Sequence, residues 1–438
     1  MAALFLPSVV SAAPVAVSGM DAGQISANID QGREWKPKEN DADIKVDQAK
    51  EKTVASNVKI KLNQIKFSGN TLFPAAKLTA LLQKDLQKEV SFDDLQKMSD
   101  KITGYYREQG YLTAFAYWPV QDIQGGIVTM NIYEGKFGDV KISNRSALTT
   151  QRAQGFLHNF KAGKIIRQQT LDRVLLIMND IPGVKSHAIV SPGKEGGVAD
   201  VEFRLSNVES ASGAAYADNY GNRYTGRTRL GALYHWNNLT HVGDQLELAY
   251  LQGAGANIKN YSFHYSLPVG NDGTTASFDF SRVGYRLGDK YSKYGAYGLS
   301  HNLRVSARTP LKRTLNNNLY GELSYEKGKF MDRIQTYAQD TEKSADVVRA
   351  GLDGDYREGR FASTYRLTHS MGSLSMDSPL ANQSDAYGTS GFFQKTNLNA
   401  YYIQRMDNRW MLRASFAAQY PWTNLDSSEK MYIGGYNA

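Results

Sequence analysis

The 438 residues are 41% hydrophobic and 21% charged, the balance of a chain that folds. A mean hydropathy of -0.47, with no uncharged apolar run of about 18 residues, excludes a bundle of membrane helices but not a β-barrel, whose spans need only about 9 to 11 residues with every second one apolar. The lack of cysteine excludes disulfides and thiol chemistry, and the net charge of +8 is spread without any Lys/Arg block, which argues against nucleic acid as a partner.

In chain order, residues 1–13 run from an apolar stretch into Ser11-Ala12-Ala13 and read as the remnant of a secretory signal, a frayed apolar terminus being the alternative. Residues 14–56 form a polar arm. Within it, Ile25 and Ile29 stand four apart and predict a short helix over 23–31, and Trp35-Lys36-Pro37-Lys38 reads as linker.

Two segments of similar plan follow, each a strand, two helices and two strands, and they set domain boundaries at 57–135 and 136–207. In the first, Ile65-Lys66-Phe67-Ser68-Gly69-Asn70 is a strand closed by a turn. Pro74 opens a helix, Ser91 and Asp94 make a capping-box pattern for the next, and strands are expected over 112–120 and 127–133. In the second, a strand at 138–143 precedes helices at 149–159 and 170–179, and a hairpin crosses Gly196-Gly197. Tandem α+β units of this kind can grip an extended peptide along a strand edge.

From residue 208 to 438 the composition changes: 22 of the 27 tyrosines lie after residue 208, and the pattern becomes alternation. Eleven strands are expected, at 214–221, 226–236, 244–252, 259–267, 274–282, 298–308, 318–326, 346–356, 360–369, 395–405 and 409–419. A soluble sandwich alternates too, but strands of about 10 residues, an apolar face rich in tyrosine, and Arg229, Arg304, Arg349, Asp353 and Arg413 on the opposite face favour an antiparallel transmembrane barrel with a wet lumen. Eleven is an odd number, and a single-chain bacterial barrel closes with an even one, so the barrel is expected to be partial.

Catalytic motifs are not the organising feature. The sequence contains no His-Glu-x-x-His, Gly-x-Ser-x-Gly or Walker loop, and the nearest approach to a hydrolase is His264 on one strand face with Ser262 and Ser266. His301 falls on an otherwise apolar face beside Leu299 and Leu303, and the strand pattern offers no account of it.

The motifs taken together resemble the outer-membrane transporters of two-partner secretion, the haemolysin-activator-like TpsB proteins. In the first half the matches are the 65–70 segment, Tyr106-Arg107-Glu108-Gln109-Gly110-Tyr111, Pro119-Val120-Gln121-Asp122, Glu134-Gly135 and Asn179-Asp180-Ile181-Pro182-Gly183-Val184. In the second they are Asp218-Asn219-Tyr220-Gly221 with Thr225-Gly226, then Gly243-Asp244-Gln245-Leu246 and Tyr265-Ser266-Leu267-Pro268-Val269-Gly270. The resemblance implies two periplasmic polypeptide-transport-associated (POTRA) domains before an outer-membrane barrel of about sixteen strands. It implies a lumen-plugging helix near residues 23–31, no enzyme activity, no cofactor and no metal. Its partners would be a secreted TpsA-type exoprotein with an amino-terminal secretion domain, together with outer-membrane lipid and lipopolysaccharide.

Phe67, Tyr111, Phe115 and Tyr117 are the expected cargo contacts, and Asp218, Gly221, Thr225 and Gly226 the barrel motif, with a plain turn at the strand start as the alternative. By the same resemblance Gly434 and Gly435 begin a loop whose Val-Arg-Gly-Tyr/Phe tip would come after them, so about five further strands are expected beyond Ala438. The alternatives are a barrel-assembly insertase of the same superfamily and, more distantly, a porin or barrel lipase.

Overall fold

The computed structural model describes residues 21–31, 41–47, 59–407 and 409–431. The expected signal at 1–13 and the loop glycines Gly434 and Gly435 lie outside the described residues.

Helix α1 (Ala22–Gln31) comes first, close to the expected bounds. The arm beyond it contains a strand that the sequence did not announce: β1 (Asp43–Val46) lies parallel to β8 (Val184–Pro192) and becomes the edge of the second unit's sheet. Four residues with two apolar ones, Ile44 and Val46, are too short a pattern to detect, and the strand exists only because β8 offers an unpaired edge.

The first unit holds β2 (Ile60–Leu62), β3 (Gln64–Ser68), α2 (Ala75–Leu82), β4 (Lys88–Val90), α3 (Phe92–Glu108), β5 (Phe115–Tyr117) and β6 (Ile127–Tyr133). Helix α3 starts on a complete capping box, Ser91 and Asp94 each bonding the other's backbone, and it buries Leu95, Met98, Ile102 and Tyr106 along one face. The strand expected over 112–120 is only Phe115–Tyr117, because Trp118 leaves the sheet to donate its indole N–H to the Leu95 carbonyl at 2.7 Å. Strand order is β3-β6-β5, and at the β5 edge α3 packs alongside, with the Ala116 N–H donating to the Thr103 hydroxyl at 3.0 Å.

The second unit is β7 (Lys136–Arg145), α4 (Thr150–Gln154), α5 (Gln168–Asn179), β8 and β9 (Val198–Asn207). Its sheet order is β1-β8-β9-β7, and α5 buries Leu171, Val174, Leu175 and Met178 against it.

All eleven expected strands of the second half form one antiparallel meander: β10 (Ala211–Asp218), β11 (Arg229–Asn237), β12 (Gln245–Gly253), β13 (Ile258–Pro268), β14 (Thr275–Arg286), β15 (Ala296–Lys312), β16 (Asn317–Ile334), β17 (Gln339–Glu358), β18 (Phe361–Met376), β19 (Gly391–Arg405) and β20 (Met411–Pro421). Among the described residues β10 pairs only with β11, and β20 only with β19. The register puts Phe263, Phe280 and Leu303 side by side on one face, and His264, Asp279 and Arg304 side by side on the other. The first face is a band of exposed aromatic and aliphatic side chains, and the second is polar and curls around α1.

Candidate functional site

Two regions stand out: the polar concave face of the large sheet with what fills it, and the exposed surface of the first unit. Inside the sheet, Glu326 accepts from Arg304 Nε at 2.6 Å and from Arg349 Nη1 at 2.9 Å. Arg308 pairs with Asp353 at 2.6 Å and lies 3.6 Å from the centroid of Tyr320. Charges of both signs turned inward would be costly in a dry core, and they fit a water-filled channel.

Helix α1 occupies part of that channel. Its first backbone N–H, from Ala22, donates to Asp332 at 2.9 Å, and Asn302 donates to the Ser26 hydroxyl at 2.8 Å. The segment after β20 turns back inward beside it. Lys343 donates to Asp426 at 2.8 Å and lies 3.9 Å from Asp21, and Lys395 pairs with Glu429 at 2.6 Å. Ser427 also hydrogen-bonds Asp21. A Cβ on Gly23 would stand 2.6 Å from that of Ser428, so glycine lets helix and returning segment meet. Sequence reading missed Asp21, Lys343, Lys395, Asp426 and Glu429, because the partners are far apart in the chain and only the fold brings them together.

The second unit sits at the end of the sheet where the short turns lie. Arg152 donates to Asn271 at 2.8 Å, and Arg173 to the Pro310 carbonyl at 3.3 Å. Between this unit and the channel is a cavity of about 330 Å³ lined by Asp180, His264, Asp279, Arg304, Arg308 and Glu322 among others. His264 Nδ1 meets Asp279 at 2.7 Å, and among the described residues no serine hydroxyl hydrogen-bonds the ring, so Ser262 and Ser266 are channel-lining neighbours with no nucleophile geometry.

The four expected cargo residues separate into two pairs. Phe67 lies on the inner side of its strand against the first unit's core, and Tyr111 packs edge-on to Phe73 and Tyr106. Phe115 and Tyr117 stand on the opposite side, where Tyr133 joins them: Tyr117 and Tyr133 stack at 5.3 Å with their rings 11° apart, and Phe115 lies 5.1 Å from Tyr133. The stack runs on into the second unit, since Gly196 and Gly197 lie directly over Tyr133.

Glu134 explains the Glu-Gly motif. Its carboxylate, 6% exposed, accepts from the N–H of Thr71 and of Leu72 at 2.7 Å each, from the Thr71 hydroxyl, and from Tyr106 at 3.2 Å. Burial and this neighbour push the Tyr106 hydroxyl's pKa up.

The barrel-motif residues come together in the β10–β11 loop. Asp218 accepts from Arg229 at 2.8 and 3.1 Å and caps the Tyr220 N–H at 3.0 Å, and Gly221 N–H donates to the Arg227 carbonyl at 2.7 Å. A side chain on Gly221 would collide with the Gly226 carbonyl, and Gly226 holds φ +104°. Thr225 is buried beneath the loop.

Against known proteins, residues 60–135 match the POTRA domain, ShlB-type, and residues 197–438 match haemolysin secretion/activation protein ShlB/FhaC/HecB. The heme/hemopexin transporter protein HuxB of Haemophilus influenzae strain 86-028NP is 28% identical, with 99% of this chain and 78% of that protein covered; for HuxB of strain Rd the figures are 29%, 82% and 64%. The outer membrane transporter CdiB of Dickeya dadantii is 22% identical over 85% of this chain and 67% of its own length. Among solved structures, CdiB from Escherichia coli superposes with TM-score 0.65 at 18% identity, over 89% of this chain and 74% of that one. CdiB from Acinetobacter baumannii does so with TM-score 0.56 at 17% identity, over 88% and 73%.

Proposed function

Since the chain belongs to the haemolysin secretion/activation family ShlB/FhaC/HecB, we propose that it is a two-partner secretion pore: it takes a large exoprotein from the periplasm and passes it unfolded through its barrel to the cell surface. It resides in the outer membrane with its POTRA region in the periplasm.

The observation that carries the reading is the pair of cavities along the polar face of the large sheet, one beside the second unit at Asp180 and His264 and one at Glu326 and Arg349 against α1 and the segment returning after β20, with Arg304 lining both. A channel lined by paired charges of both signs offers an extended polypeptide no deep apolar trap. Phe115, Tyr117 and Tyr133, half-buried on the side of the sheet away from the first unit's core, supply the capture surface, their aromatic faces selecting side chains of the passing chain. Phe67 and Tyr111 serve that surface only from beneath. Folding of the exoprotein outside buries apolar surface and gives the passage its direction without nucleotide.

The test is secretion of a candidate partner exoprotein in cells expressing the transporter or its F115A/Y117A variant. Surface delivery with the first and periplasmic degradation with the second is the expected result. Normal delivery by a strain lacking the transporter would end the proposal.

A further inference from the structure

The outward face of β13–β16 carries a feature that passage through the channel does not use. Above the apolar band, one register row reads Tyr261, Arg282, His301 and Lys329 on four adjacent strands, all facing away from the channel. Lys259 stands one step further from the second unit on β13. Arg282, Lys329 and Lys259 are exposed, and among the described residues none has a carboxylate within salt-bridge distance. Their outward neighbours Lys327 and Arg333 do, in Asp346 at 3.4 Å and in Asp340. His301 lies with its ring 6.4 Å from that of Phe280, tilted 29°. Directly next to the row, toward the apolar band, is an open apolar groove of about 410 Å³ lined by Ala232, Tyr234, Leu248, Tyr250, Tyr261 and Phe280. The small side chain of Ala232 leaves the gap.

We propose that this face binds a phosphorylated glycolipid of the outer leaflet, its phosphates on Arg282, Lys329 and Lys259 and an acyl chain in the groove beside Ala232. The proposal rests on the outer-membrane placement above, which puts the end of the barrel away from the second unit at the cell surface. Uncompensated cations on a lipid-facing wall are unfavourable in hydrocarbon, and become favourable where anionic headgroups begin. Tyr261 in the row and Tyr250 opposite it on β12 mark that level, as aromatic side chains do at membrane interfaces. Guanidinium and ammonium groups side by side suit a phosphate, and an adjoining apolar groove distinguishes a lipid from a free anion. This placement also accounts for His301 on an otherwise apolar face, since it sits between two of the cations.

The experiment uses the full chain purified in detergent micelles, titrated by native mass spectrometry with bis-phosphorylated lipid A and with the same lipid dephosphorylated. The R282Q/K329Q variant should bind the phosphorylated lipid roughly thirty-fold more weakly, each basic residue near an anionic surface contributing on the order of fivefold, and should match the native chain for the dephosphorylated lipid. A232W, which keeps every charge and fills the groove, should weaken both lipids. Heat-modifiable gel mobility reports that each variant is folded. Equal binding of phosphorylated lipid by native and R282Q/K329Q chains would overturn the proposal, and so would complete displacement by millimolar inorganic phosphate, which would make this a free-anion site. Recovery of the chain outside the outer-membrane fraction would instead overturn the placement on which the proposal rests.

Discussion

Arg313, in the turn between β15 and β16, grips Asp180 at the end of α5 through two hydrogen bonds, Nε to Oδ2 at 2.9 Å and Nη2 to Oδ1 at 2.8 Å, with the arginine side chain wholly buried. The pair joins the second unit to the barrel. Removing one member takes from a buried charge its hydrogen-bonded counter-ion, at up to about 3–5 kcal/mol. R313M and D180N should therefore each loosen the joint, broadening spin-label distances between α5 and the barrel and lowering secretion. An unchanged distance distribution would show that the contacts of Arg152 and Arg173 suffice.

Lys343 holds two elements at once, Asp426 of the returning segment and Asp21 beside α1. K343Q should weaken both. At about 1 kcal/mol for a partly screened pair, the equilibrium between filled and open channel should move roughly fivefold toward open. Planar-bilayer recordings of the full chain should show correspondingly more frequent openings, and recordings like those of the native chain would remove Lys343 from this role.

Asp172 on α5 is 8% exposed, and among the described residues it has no hydrogen bond or ion pair. Burial raises its pKa to about 6. The folded state therefore holds a proton that the unfolded state has released, and this contribution is complete below about pH 4 and lost as pH rises through about 6. D172N should raise the melting temperature of the second unit at pH 7.5 and leave it nearly unchanged at pH 4. An equal effect at both pH values would contradict the assignment.

Four hydrogen bonds converge on the Glu134 carboxylate. E134A leaves the buried Tyr106 hydroxyl and the Thr71 and Leu72 amides without their acceptor, at about 1–3 kcal/mol per unsatisfied group. The first unit should then unfold at markedly lower urea concentration, measured by tryptophan fluorescence at Trp118.

Pairing of β1 with β8 predicts that the second unit melts a few degrees higher in a fragment of residues 41–207 than in one of residues 59–207, a contribution of about 1 kcal/mol shifting a unit of this size by roughly 4–8 °C. Equal melting temperatures would mean that the strand contributes no stability there.

Most of the architecture was legible because its signals are local. Alternation marked all eleven strands, and Ser91 with Asp94 marked the start of α3. The strand ends were read short where alternation fades: β16 runs on to Ile334 and β17 begins at Gln339, with Lys327, Lys329 and Asp332 along the way. There both faces of the hairpin are polar and the period-2 contrast vanishes. The channel charges were legible as residues but not as partners. Lys395 and Glu429 are separated by β20, and Asp21 and Ser427 by nearly the whole chain, so only the curl of the sheet around α1 brings them together. Phe67 on its strand and Tyr111 in the loop after α3 show the opposite limit: a side chain's type announces an aromatic, but whether it packs inward depends on what lies beneath.

The parallel strand β1 also acts as a leash. Helix α1 ends at Gln31 and β1 begins at Asp43, twelve residues on, a span of at most about 40 Å when fully drawn out. While β1 stays zipped to β8, an α1 displaced from its seat would have to remain within that radius of the second unit. A strand of four residues thereby sets how far the helix can wander and, if it unzips, when that limit is lifted.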